Sequence, residues 1–519
     1  MESGVVQTAI PPELISFLGG AGGRSLIVKG GAGTGKTTFC LEVLEKVGKK
    51  GQSFYLSTRV SDDALYHQFP WLKQTEMRTR IFDSGKILLD MLVGRDSARS
   101  SQEPSPDQKA KVSGARDFLK SIGGEGERPT KVDRARLTAL MQHTRMPEVE
   151  HVYDRIEKVL PEKSLLVVDS LEGITHRYGL EMEEFVMCLQ KDLVENSNTN
   201  VILVLEKAEA GGIEYLVDGL VSLSREEVDE RRIRHVRFDK LRATNISKPR
   251  YAATLSQGRF RALGGLHSRA SNNGHAGSSR QWQAIPDSPT HFSSGVPDID
   301  ALMGGGYKRG SYNAFDIDIN VSIDDYYHLF IPTFLNFLAQ GRGMMGVLAG
   351  GEYPDRLKEL ITQHLPSNIF DSRVRIIDYT ATEQTSPYIL PFGRIRSSAD
   401  AQRAYEEIER AVRGGQDKNP YIEYTAFDTL EYQQGDNMAI TGLFQAVQRT
   451  KIMGNLGIGL LKPGLMVTSE IINMMDTYFR VVNIDDSPCI YGIRPRTLIY
   501  AIGIDEQRGA PHVSLTPIV

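Results

Sequence analysis

Residues 29–40 read KGGAGTGKTTFC, and this stretch decides how the first half of the chain folds. Gly30, four residues, then Gly35, Lys36 and Thr37 make a complete phosphate loop. Glycines let the backbone curl until its N–H groups converge on a phosphate, an approach that side chains would block. In such a loop the lysine reaches the β- and γ-phosphates and the threonine hydroxyl ligates Mg²⁺. Gly30, Gly31, Ala32, Gly33, Thr34, Gly35, Lys36, Thr37 and Thr38 are therefore the candidate nucleotide-binding residues, with ATP and Mg²⁺ as the expected ligands. The flanks fit the motif. RSLIVKG (24–30) is a short apolar run ending in glycine, as a buried parallel strand should be. TTFCLEVLEKVG (37–48) places Cys40, Val43, Leu44 and Val47 at helical spacing, with Gly48 as a stop.

The chain has 519 residues, 40% apolar and 24% charged, which suits a soluble globular protein of two or more domains. Its 61 basic and 65 acidic side chains leave a net charge of −4, so no overall field invites nucleic acid or membrane. Three widely spaced cysteines with no CxxC pair argue against zinc and disulfides and fit a reducing cytoplasm. No run approaches the ~20 apolar residues of a membrane span, and the N-terminus lacks signal-peptide features.

A Gly-, Ser- and Asn-rich segment predicts a flexible linker over 264–291, between domains 1–263 and 292–519. A second polar stretch, 94–115, interrupts the first half. The halves share a pattern. SLLVVDSLEGI (164–174) is an apolar strand reaching Asp169 and then Ser-Leu-Glu; YIEYTAFDTLEY (421–432) reaches Asp428 and then Thr-Leu-Glu. Asp169 is the natural Mg²⁺ partner of the loop, with Thr37 as the second metal residue; its alternative role is to cap the following turn.

With these motifs the chain resembles the RecA-like ATPases of the KaiC group. FSSGVPDIDALMGGGYKRGS (292–311) is similar to the lead-in that such proteins place before a phosphate loop. Residues 218–244 are similar to their closing strands and Lys-x-Arg element. IPPELISFL (10–18), the loop and YLSTRVS (55–61) look closest to archaeal gas-vesicle regulatory proteins of the GvpD type. The resemblance implies an α/β fold of two RecA-like lobes with mostly parallel sheets. It also implies a homo-oligomer in which Lys240 and Arg242 touch the neighbouring protomer's triphosphate.

Two departures qualify it. Related hydrolases carry a water-activating glutamate at the end of the second strand, where this chain has Arg59 and Val60. Arginine stays protonated and valine has no proton site, so neither is a general base. Asp62 or Asp63 substitutes for it, or else caps a helix. Arg59 contacts a γ-phosphate as a sensor, or simply pairs with a nearby acid. Glu206, at the end of NVILVLEKAE (200–209), senses the site or caps its strand. In the second half, DIDINVSIDDYYHLF (316–330) stands where a phosphate loop should, with four aspartates and neither glycine nor lysine. That half reads as a degenerate copy without a nucleotide site, or as an unrelated α/β domain.

RRIRHVRFDKLRATNISKPR (231–250) raises the question of nucleic acid, but Ile233, Val236 and Phe238 interrupt the charges at strand spacing and acids lie just upstream. No nucleic-acid-binding motif accompanies it, so a charged hairpin is the simpler reading. The expectation is a cytoplasmic regulator that binds Mg-ATP, hydrolyses it slowly or not at all, and acts through a protein partner such as a transcription regulator. The rival is an active RecA-like ATPase working on nucleic acid; a second, an autokinase, needs a competent second site.

Overall fold

A computed structural model describes residues 9–73, 80–87, 131–141, 145–208, 211–264, 281–393, 398–416, 418–505 and 512–519. The polar stretch 94–115 and residues 265–280 of the predicted linker lie outside them. The chain forms two compact units, one spanning Thr8–Ala262 and one built on Leu263–Val519.

In the first unit, β1 (Ser25–Gly30), β2 (Ser53–Ser57), β3 (Ile81–Asp83), β4 (Ser164–Asp169), β5 (Thr199–Val204) and β6 (Gly219–Val228) run parallel. Strands β7 (Arg231–Leu241), β8 (Arg250–Thr254) and β9 (Arg261–Ala262) close the edge antiparallel. The order is β3-β2-β4-β5-β1-β6-β7-β8-β9. Alternation along each strand feeds two cores. Leu26, Val28, Leu165 and Val167 pack with Phe39, Cys40 and Leu44 of the helix Lys36–Lys46. Ile27, Leu166 and Val168 pack on the opposite face against the helices Pro147–Glu157, Leu171–Tyr178 and Met182–Leu189. Parallel strands buried on both faces need such helical cover, which explains their near-continuous apolar runs.

The second unit contains β10 (His291–Phe292), β11 (Tyr307–Lys308), β12 (Tyr312–Ile317), β13 (Gly343–Val347), β14 (Val374–Asp378), β15 (Ile389–Pro391) and β16 (Tyr421–Ala426). It continues through β17 (Leu456–Leu461), β18 (Thr477–Ile484), β19 (Ser487–Arg494), β20 (Tyr500–Asp505) and β21 (His512–Pro517). Its main sheet runs β15-β14-β13-β16-β17-β12-β18-β19-β20-β21. Apart from the extra edge strand β15, this is the first sheet's order strand for strand, with the same switch to antiparallel after the sixth. The fold is thus α/β, two lobes with mostly parallel sheets.

A shared hydrogen bond anchors the comparison. An aspartate just before the sixth strand accepts the first strand's opening amide, from Ser25 to Asp218 Oδ2 at 3.1 Å and from Tyr312 to Asp476 Oδ2 at 2.9 Å. Following the ladders from there matches Gly30 with Ile317, and Asp169 with Ala426. Asp428, the sequence counterpart of Asp169, instead lies two residues further on, inside the helix Phe427–Gln434.

Residues 281–291 are held against the second unit. Trp282 N–H donates to the His364 carbonyl at 3.0 Å, and Asp287 pairs with Arg309 at 3.0 Å and with Arg342. Among the described residues no helix is long and apolar enough to cross a membrane.

Candidate nucleotide-binding site

β1 ends on Gly30, where the chain turns sharply. A Cβ there would stand 2.3 Å from the Leu223 carbonyl oxygen of the neighbouring strand, so only glycine passes. Gly35, with φ of 101°, caps the helix Lys36–Lys46 in the left-handed region. Thr34 Oγ1 donates to the Gly31 carbonyl at 2.9 Å and braces the turn from within. Gly31, Ala32 and Gly33 are exposed, whereas Thr38 is buried under the helix start. Lys36 Nζ donates to the carbonyls of Gly30 at 2.6 Å and Gly31 at 2.9 Å, so its ammonium lies along the loop. Burial lowers its pKa, opposed by the negative charges of Asp169, Glu206 and Glu172.

Asp169 closes β4 between Ser57 of β2 and Val204 of β5. Its Oδ2 accepts the Thr37 hydroxyl at 2.7 Å and also the Tyr55 hydroxyl. Burial and then the charge of Asp169 hold the Tyr55 phenol well above its ordinary pKa, so it remains a donor. Thr37 and Asp169 thus present hydroxyl and carboxylate oxygens side by side, a donor set that suits Mg²⁺. Mg²⁺ takes one or two carboxylates and fills its remaining positions with phosphate and water. Among the described residues no cluster of three His, Cys, Asp or Glu offers a self-contained metal cage, and a P-loop site needs none.

Arg59, two residues beyond β2, pairs with Glu206, the ion pair that the sequence leaves open as its alternative to a phosphate contact. Glu206 Oε1 also accepts the Ser170 hydroxyl at 3.0 Å, and its own amide donates to Glu172 Oε1 at 2.8 Å. A connected set of Arg59, Glu206, Ser170 and Glu172 therefore sits beside Asp169. Asp62 and Asp63 lie in the first turn of the helix Asp62–Gln68 and pair with Lys86; the cap is Ser61, whose Oγ accepts the Ala64 amide at 3.2 Å. Sequence reasoning passed over Tyr55, Ser170 and Glu172. Ser170 and Glu172 left a trace, in the Asp-Ser-Leu-Glu pattern that puts a hydroxyl and an acid next to Asp169.

Lys240 lies near the end of β7 and donates to the carbonyls of Val217 at 2.7 Å and Glu214 at 3.2 Å. Arg242 reaches Asp218 at 3.4 Å. Lys240 pairs in register with Leu220, three positions before the Leu223 that stands beside Gly30, so both cations lie away from their own loop.

In the second lobe the corresponding turn leads to Ser322, which caps the helix Ile323–Ala339 in a capping box with Asp325. Asp316 accepts the Tyr478 hydroxyl at 2.7 Å, and Asp318 accepts the Asn320 amide at 3.0 Å. Glu352, the carboxylate that survives in this half, is buried. Its Oε1 accepts the hydroxyls of Tyr326 and Tyr424, both at 2.8 Å, and burial raises its pKa. It serves packing, not an open site.

Comparison with known families agrees with this geometry. Residues 14–239 match the P-loop domain of the GvpD gas vesicle protein, and residues 281–386 match GvpD basic region 2. Protein GvpD2 of Halobacterium salinarum is 23% identical over 518 residues, covering 98% of this chain and 96% of its own. Protein GvpD1 of the same organism is 23% identical over 561 residues, with the same shares covered. A P-loop domain implies nucleotide binding, and the second match begins where the chain is pinned to the second lobe. Matched in both lobes and over nearly its whole length, the chain belongs to the GvpD-type P-loop proteins.

Proposed function

We propose that this chain is a nucleotide-dependent regulator in gas-vesicle formation. It binds one Mg-ATP in the first lobe, uses it to set conformation or assembly, and turns it over slowly. The observation that supports this reading most is the contrast around Asp169. The cradle and the Thr37–Asp169 pair are complete, while Arg59 occupies the place of the water-activating glutamate and neutralises Glu206. General-base catalysis contributes ~10²–10⁴-fold, so a site without a free base holds ATP longer than it hydrolyses it. Domains 1–263 and 292–519 then divide the work: the first senses nucleotide, and the second offers a surface to a protein partner such as a transcription regulator, in the cytoplasm.

The test is titration calorimetry of the purified chain with Mg-ATP, followed by a turnover assay. One nucleotide per chain and slow turnover are expected; two per chain would overturn the degenerate-lobe reading. Turnover of several per second would favour the active-ATPase alternative and point to Glu206 as base. Assembly is read separately. Lys240 and Arg242 complete a neighbour's triphosphate site in a homo-oligomer, so light scattering should report a larger particle with a non-hydrolysable ATP analogue than with ADP. Loss of that difference in the Lys240→Ala, Arg242→Ala double variant is the expected result; its persistence would assign both residues to the hairpin alone.

A further inference from the structure

The second lobe carries an apolar surface that the nucleotide site does not explain. Ile319, Tyr353, Tyr432 and Met466 are each at least 69% exposed. They follow the C-terminal ends of β12, β13, β16 and β17, four neighbouring parallel strands, on the edge where the first lobe has its phosphate loop. Hydrogen bonds tie these turns together. The Met466 amide donates to Glu431 Oε1 at 3.1 Å, beside Tyr432. The Gly350 amide donates to Asp428 Oδ2 at 3.0 Å, and Lys462 Nζ donates to the Gly350 carbonyl at 3.1 Å. A single exposed apolar residue is ordinary, but four on neighbouring turns of one edge mark a contact surface.

The opposite edge of the same lobe carries a matching surface. The helix Asp436–Met453 ends just before β17 begins, and β19 ends at Arg494, in register with Tyr478 at the start of β18. Ile452 is 80% exposed there, and Met453, Ile493 and Leu498 are exposed as well. Exposed Lys451, Arg494 and Arg496 stand among them. Lys451 lies 3.8 Å from Asp476, and Arg494 donates to the adjacent Met475 carbonyl at 2.9 Å. Arg494 occupies the place of Lys240, which pairs at the same bulge and donates to the Val217 carbonyl at 2.7 Å. The two edges differ in charge. Four aspartates and no lysine or arginine lie in 316–325 on the first edge, where Asp324 is exposed and Arg356 is held by Glu359 at 2.8 Å. The six residues of β17, at ~3.3 Å each, keep the edges roughly 20 Å apart, so they cannot meet within one lobe.

We infer that the second lobes of successive copies of this chain join head to tail, the aromatic, acidic edge of one seated on the aliphatic, basic edge of the next. Apolar side chains anchor the contact, and opposed charges set its direction. Two acidic edges, or two basic ones, would face like charge and repel. A contact between unlike surfaces is heterologous, so it passes from copy to copy. No nucleotide takes part. The inference shares only the homo-oligomer with the proposed function and goes beyond it: triphosphate strengthens assembly through the first lobe, while the second lobe holds copies together in every nucleotide state.

Sedimentation velocity of the full chain without nucleotide tests it, on wild type, on the Tyr432→Ser, Met466→Ser double variant and on the Ile452→Ser, Leu498→Ser double variant. All four side chains are exposed, so their replacement does not threaten folding. Wild type should sediment as an assembly that grows with concentration, and each variant should need at least about tenfold more protein to associate. An equimolar mixture of the two variants should form a one-to-one dimer and stop there, because each pair retains a single intact contact. Variants that associate like wild type, or a mixture that stays monomeric or grows like wild type, would overturn the contact. Wild type that stays monomeric without nucleotide would overturn it too, leaving the acidic edge to a basic protein of another kind. Failure of the nucleotide switch looks different: wild type would then have one size with ADP and with a non-hydrolysable ATP analogue, while the second-lobe variants still fall apart.

Discussion

After the first strand the two lobes turn over the same length of chain, four residues separating Gly30 from the helix cap Gly35 and Ile317 from the cap Ser322. In the first lobe the turn is mostly glycine, its amides are open, and Lys36 and Thr37 begin the helix. In the second, Ile323, Asp324 and Asp325 stand at those helix positions, and Asp325 takes the Ser322 amide and hydroxyl for itself at 3.1 and 2.7 Å. A helix start favours anions when its amides are free. Here the chain's own carboxylate occupies that place, and Asp324 beside it repels a second anion. The carboxylate beside the loop is missing as well, since Ala426 stands where the first lobe has Asp169. The fold survives because it rests on two-faced cores of many residues, whereas the site rests on a handful; losing the handful costs the fold little.

The sharpest way to break this contrast is to make the first lobe resemble the second. Lys36→Ala should weaken ATP binding about 100-fold in calorimetry, because a charge-assisted contact to phosphate is lost within a cradle that otherwise stays intact. Affinity that survives the change would mean the second lobe binds nucleotide after all.

The helices themselves provide the next test. Glu42 is buried on the P-loop helix, where the second lobe has buried Leu329 at the matching position. Burial, reinforced by Glu45, raises the Glu42 carboxyl to about 7 against the attraction of Arg259, which Glu45 shares. A carboxyl raised on folding contributes stability that is fully present below its unfolded value and is lost as pH rises through about 7. Glu42→Gln lacks that titration. Chemical denaturation at pH 5 and pH 8 should show the variant gaining on wild type by on the order of 2 kcal/mol between the two. An unchanged gap would mean that Arg259 keeps Glu42 ionised.

The smallest expected effect concerns the self-made cap. Asp325→Ala should cost the chain about 1 kcal/mol, the usual worth of such a cap, and leave nucleotide affinity untouched. A gain of a second nucleotide in that variant would show that the capping carboxylate alone had closed the site.

Much of this was legible in the chain itself. The spacing of Gly30, Gly35, Lys36 and Thr37 fixes a phosphate loop because so few backbone paths let amides converge on an anion. The apolar run before it fixes the buried strand. The aspartates at 316–325 announce that the second loop cannot hold phosphate, since charge reads directly from sequence. What sequence could not decide was registration and neighbourhood. The Asp-Ser-Leu-Glu and Asp-Thr-Leu-Glu echo pointed to Asp428 as the partner of Asp169, yet the ladders place it two residues late, because one letter pattern fits a strand end or a helix start equally well. The pairing of Arg59 with Glu206, 147 residues away, could not be read from the chain, because only the ends of β2 and β5 bring them together. Tyr353, Tyr432 and Met466 look like scattered apolar residues until the order β13-β16-β17 sets them on one edge. Local chemistry is written in neighbouring residues, but which distant charges meet, and which stay without a partner, depends on how strands align, and only the folded sheet fixes that.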